Sequence, residues 1–119
     1  MEIKVEGSRR NKKFVEAMLP SMLRQLKIEN CSKALLIRIA DECENNSQGL
    51  TLDLSKHTGA YLVVIKPRRD LVQLGLTLAH EMVHVKLVDF PEEDTEGHGP
   101  KFHKEMRRLA RVGAFEPLW

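Results

Sequence analysis

Residues 80–84 read His-Glu-Met-Val-His. On a helix, side chains four apart stand one above the other, so His80 and His84 can aim both imidazoles at one point. Neutral imidazole nitrogen suits Zn²⁺ at about 2.0–2.1 Å. Glu81 lies about 100° around the helix from His80, so it flanks such a metal instead of ligating it. From there it can act as general base toward a water whose pKa the metal lowers to about 7. The plainer alternative is a pair of core histidines satisfied by hydrogen bonds. The spacing, and the Glu between them, favour the metal.

Two histidines leave a catalytic zinc short of its usual three protein ligands. His98 is the best candidate for the third. It sits between Gly97 and Gly99, after a chain reversal at Asp89-Phe90-Pro91, at the mouth of a last helix. His103 would lie more than a turn deeper in that helix. Glu92, Glu93, Asp94 and Glu96 could also ligate in principle. Tyr61, His57 and His103 are the candidates for stabilising an oxyanion, and nothing singles out one of them.

This chemistry requires a helix across 70–88, and the apolar pattern supplies it. Leu71, Leu74, Leu78, Met82 and Val85 recur at threes and fours, as do Val72, Leu76, Ala79, Val83 and Leu87. Two such stripes predict a helix buried on most of its circumference. Gln73, Thr77, His80 and His84 form the remaining polar stripe, which must face partners or a cleft. Asp70 is the expected N-cap, with Gln73 three residues on.

The other elements are read in the same way. Residues 1–10 are a polar lead-in, and a helix is expected from near Asn11. Phe14, Met18, Met22 and Leu26 give it an apolar stripe, and Pro20 should kink or divide it. Residues 34–40 read as a strand with Leu35, Ile37 and Ile39 on one face. Leu50 to Leu54 reads as a half-exposed strand. Ala60 to Ile65 is almost wholly apolar, a strand covered on at least one face and ended by Pro67. Residues 60–66 also read as a sheet edge where an extended peptide could add. Short turns between these runs predict a small, mostly antiparallel sheet. Pro100 suits the first turn of the last helix, with Phe102, Met106 and Leu109 as its apolar stripe.

The chain has 119 residues, 42% hydrophobic and 30% charged, with a net charge of +2. That length predicts one domain over 1–119, and the composition is that of a globular protein. No apolar run approaches the roughly 20 residues of a membrane span, so no membrane partner is expected. The N-terminus has no signal-peptide pattern. Cys31 and Cys43 read as ordinary reduced thiols. The expected location is cytoplasmic, or nuclear if the protein is eukaryotic or acts on host DNA.

Lys101, Lys104, Arg108 and Arg111 recur at three, four and three along the last helix, opposite its apolar stripe. Arg9, Arg10, Lys12 and Lys13 make a second basic cluster. An ordinary solvated face is the competing reading. A phosphate-contacting face would bind DNA weakly, without sequence preference and with strong salt dependence.

Three segments resemble the SprT-like zinc metalloproteases, above all those of Spartan type, which degrade proteins crosslinked to DNA. They are Lys66-Pro67-Arg68-Arg69-Asp70-Leu71-Val72, the His80 to His84 motif, and Glu96-Gly97-His98-Gly99-Pro100-Lys101-Phe102. The resemblance implies His80, His84 and His98 as ligands of one Zn²⁺ per chain, and Glu81 as general base. It implies a zincin-like α+β domain: a short, mostly antiparallel sheet packed on a central H-E-x-x-H helix, with N- and C-terminal helices. The expected function is a metallopeptidase acting on protein or peptide substrates, with DNA-associated proteins among them. Two rivals stand beside it: a hydrolase of non-peptide amides using the same site, and a non-catalytic zinc-containing nucleic-acid-binding module.

Overall fold

The computed structural model describes residues 2–28, 33–40, 49–54, 59–87 and 99–111. In chain order the elements are β1 (Ile3–Glu6), α1 (Arg9–Leu26), β2 (Ala34–Ile39), β3 (Gly49–Asp53), β4 (Ala60–Ile65), α2 (Leu71–Lys86) and α3 (Pro100–Arg111). The fold is α+β, with a four-stranded mixed sheet in the order β1-β2-β4-β3.

β1 pairs with β2 in parallel, and β2 with β4 in parallel; β3 and β4 pair antiparallel. The expected mostly antiparallel sheet is therefore wrong, and the cause lies at the start of the chain. Residues 3–6 are a strand, not a polar lead-in. α1 then carries the chain back over about 27 Å at 1.5 Å per residue, so β2 begins beside the start of β1. Later β4 inserts between β2 and β3. Residues 60–65 are thus an interior strand and not the sheet edge expected for them; the terminal strand on that side is β3.

α1 runs through Pro20 as one helix, not two pieces. Proline removes an N–H and crowds the carbonyl four residues back. Here both Pro20 and Glu16 are exposed, so water can serve that carbonyl. The opposite side holds the helix down, with Val15, Met18, Leu19, Met22, Leu23 and Leu26 all buried. Leu35, Ile37 and Ile39 of β2 form the sheet's buried row, as their alternation predicts. They share one core with Leu74, Leu78 and Met82 of α2.

Two side chains set where α2 begins. Asp70 caps it, its Oδ1 accepting from the backbone N–H of Val72 at 2.9 Å and of Gln73 at 3.4 Å. Asn11, buried in the first turn of α1, accepts the Arg68 N–H at 3.0 Å. The segment before α2 is thereby tied to α1. No helix of the described residues is long and apolar enough to cross a membrane.

α3 is fastened by one carboxylate. Glu105 Oε1 accepts from Lys86 Nζ of α2 at 2.7 Å and from Arg108 Nε at 3.0 Å, and Arg108 also donates to the Gln25 carbonyl of α1. Burial alone would push the Glu105 carboxyl up, but the bonds from Arg108 and Lys86 outweigh it and hold the carboxyl below its usual range. A lowered pKa stabilises the fold above the unfolded carboxyl's value of about 4.3, and that contribution fades as pH falls through the folded value. Glu105→Gln should therefore destabilise the fold at pH 7 by about 1.5–3 kcal/mol, the range for hydrogen bonds to charged groups. In urea unfolding, the gap from wild type should narrow below about pH 4. A gap equally wide at acid pH would refute the assignment.

Candidate metal centre

α2 positions the site, and its burial follows the pattern of its sequence. Leu74, Leu78, Ala79, Met82 and Val83 are buried, while Gln73, Thr77, His80 and His84 lie on the less covered stripe. His80 and His84, one turn apart, bring their Nε2 atoms to 3.3 Å. Two nitrogens bound to one tetrahedral zinc at 2.0–2.1 Å would stand about 3.3–3.4 Å apart. The separation is thus the one a shared metal would require. Among the described residues, His80, Glu81 and His84 are the His/Cys/Asp/Glu group able to hold a metal, their ligand atoms all within 4.8 Å of one another.

Glu81 is buried, at 4% exposure, whereas the side chain of His80 is 39% exposed. Its Oε1 accepts a hydrogen bond of 2.8 Å from Thr51 Oγ1, and its Oε2 lies 4.0 Å from His80 Nε2. One oxygen is anchored to the sheet and the other stands beside the histidines. Burial pushes the Glu81 carboxyl above its usual value, and the Thr51 hydroxyl partly opposes this.

β3 makes that burial tolerable. Gly49 and Thr51 share the strand face turned toward α2, and Leu50 and Leu52 are exposed on the other. A Cβ on Gly49 would stand 3.0 Å from Glu81 Cγ and Oε2, so any larger residue there would have to push the Glu81 side chain aside. Sequence reading missed both residues. It saw alternating leucines in 50–54 and could not tell which face met the helix. The usable signal was a polar residue at alternate positions of a strand otherwise rich in leucine.

Phe102 was expected only as part of the apolar stripe of α3. It is buried there, and its ring also meets both imidazoles, at centroid distances of 4.7 Å from His80 and 4.8 Å from His84. His103 is exposed and meets Phe102 edge-on at 5.7 Å. Tyr61 is buried under the ammonium of Lys33, 5.0 Å from its ring centre. His57, His98 and the acids at 92, 93, 94 and 96 lie outside the described residues. On the basic stripe, Lys101, Lys104 and Arg111 are exposed, whereas Arg108 is half-buried in its bonds to Glu105 and Gln25.

No family model matches the chain, and no solved structure matches it. Curated proteins do. The DNA-dependent metalloprotease SPRTN of Bos taurus is 48% identical over 52 residues, 43% of this chain and 10% of that protein. The Homo sapiens protein of the same name is 49% identical over 49 residues, 40% of this chain and 9% of that protein. The Caenorhabditis elegans DNA-dependent metalloprotease dvc-1 is 43% identical over 53 residues, 44% of this chain and 14% of that protein. The matched stretch thus spans about a tenth of the length of these relatives.

The geometry makes a direct prediction. His84→Ala should weaken binding of a divalent metal by more than the roughly 10–100-fold that removing a partner behind a ligand costs. Titration against a chromophoric chelator measures it, and unchanged affinity would mean the metal sits elsewhere. In the segment it shares with them, the chain resembles the SprT-like, DNA-dependent metalloproteases.

Proposed function

We propose that this chain is a zinc-dependent metallopeptidase of SprT-like type, cleaving peptide bonds in DNA-associated proteins. The observation that carries the reading is the site itself: two imidazole nitrogens 3.3 Å apart beside a buried carboxylate whose nearer oxygen is 4.0 Å from one of them. The relatives' printed names, DNA-dependent metalloproteases, support both the activity and the class of substrate.

His80 and His84 would hold the zinc. His98 is proposed as the third ligand, from its spacing and from the resemblance of its Gly-His-Gly-Pro segment. A zinc held there would supply a Lewis acid and a water of lowered pKa. Glu81 handles the proton. Thr51 occupies Oε1, which leaves Oε2 on the side of the histidines to accept a proton from the attacking water. The carboxylic acid so formed is favoured by burial and can pass the proton to the leaving amine. β3, the terminal strand on the site's side of the sheet, suits an extended substrate that adds as a further strand.

Glu81→Gln should keep its metal and fold but cleave casein or histone about 10²–10⁴-fold more slowly. Cleavage at the wild-type rate would take the base role from Glu81.

The outer face of α3 is proposed to contact DNA phosphate through Lys101, Lys104 and Arg111. Arg108, bonded within the fold, contributes less. Lys104→Glu with Arg111→Glu should weaken binding to any DNA sequence. Wild-type affinity should fall steeply between about 50 and 200 mM salt. Fluorescence anisotropy tests both; equal binding by the double variant would make the stripe an ordinary solvated face.

A further inference from the structure

The ring of Phe102 touches both imidazoles of the site, and its place in the apolar stripe of α3 does not account for that. It meets His80 edge-on, with planes at 63°, and lies nearly flat on His84, with planes at 30°. The two imidazoles are themselves edge-to-face, 5.0 Å between centres and 70° between planes. Among the described residues, the rings of His80, His84 and Phe102 thus meet one another across two helices, and Phe102, 4% exposed, is the buried one.

We infer that Phe102 is a positioning residue for the metal centre: it holds the His80 and His84 rings in the orientation that brings their Nε2 atoms to one point. The inference rests on the proposal that these histidines bind a metal. A histidine on a helix can sample several rotamers, and each contact that narrows them leaves less for a metal to select. Rings held by an aromatic wall before the metal arrives lose less freedom on binding, so affinity rises. Edge-to-face contacts of the kind His80 makes are among those that aromatic quadrupoles favour. Packing on a ring's face leaves its in-plane nitrogens available.

The wall is itself anchored. Glu105 follows Phe102 by three residues on α3, hence on nearly the same face. Its bond to Lys86 joins α3 to α2 one half-turn beyond His84, and Arg108 carries the tie on to α1. These bonds fix α3, and with it the backbone of Phe102, against α2 and α1.

The test measures metal binding and needs no activity. Phe102→Leu, and Phe102→Met as a gentler change that fills space without a ring, should each weaken zinc by roughly 10-fold or more, as loss of a partner behind a ligand does. Phe102→Tyr, which keeps the ring, should bind zinc as wild type does. Leu109→Ala, on the same helix and fully buried, should lower the melting temperature while leaving zinc affinity unchanged. With cobalt(II) in place of zinc, the visible band should shift in the Leu and Met variants and not in Tyr or in Leu109→Ala. Wild-type zinc affinity in Phe102→Met, or equal weakening in Leu109→Ala, would reduce Phe102 to a core residue. His84→Ala in the same titration separates the two readings: if it retains full affinity, the metal centre is misassigned and the inference falls with it.

Discussion

Keeping the carboxylate of Glu81 under cover is the constraint on which the site depends. A carboxylate out of water is costly unless it is hydrogen-bonded. The helix cannot supply that partner, because its own backbone donors are already used. The partner is Thr51 on β3, and the glycine at 49 leaves the carboxylate room beside that strand. The terminal strand of the sheet is therefore part of the site. The leucines that alternate with Thr51 face outward because the threonine must face in.

The sheet's order follows from the same need to bring β3 to α2. The β1-α1-β2 crossover lays two parallel strands, and α1 covers the face they share with the rest of the core. β4, flanked by parallel β2 and antiparallel β3, carries a continuous apolar run, with Tyr61, Val63, Val64 and Ile65 buried and Leu62 half-buried beside the exposed Leu52. With β4 in the middle, β3 is left at the margin beside Glu81. An edge strand usually needs protection from unwanted pairing. A strand that receives extended substrate uses the same exposed backbone for recognition.

α3 closes the arrangement from the other side. Its amphipathic pattern sends Phe102 and Leu109 inward, and Glu105 between them gathers a lysine from α2 and an arginine that reaches α1. A single half-buried acid thus ties α3 to α2 and, through Arg108, to α1. Arg108 shows how a residue's role depends on its neighbours. In sequence it belongs to a basic stripe, and in the fold it serves as a brace.

The central helix, its cap at Asp70, its polar stripe and the convergence of His80 and His84 were all legible in the sequence. Each depends on contacts within a few residues, where helical periodicity leaves little choice. The β2 alternation and the inward side of α3 were legible for the same reason. β1 was legible but overlooked: Ile3 and Val5 alternate with Glu2, Lys4 and Glu6, a period of two on a short, charged segment. What sequence could not decide is which elements become neighbours. The parallel pairings, the interior place of β4, the continuity of α1 through Pro20, and the meeting of Thr51, Gly49 and Phe102 with residues of α2 all join positions far apart in the chain. Their energies come from burial against partners that local patterns do not name. The histidine pair was therefore determined by spacing along one helix, whereas the carboxylate's anchor and the aromatic wall were decided only when strand and helix closed over it.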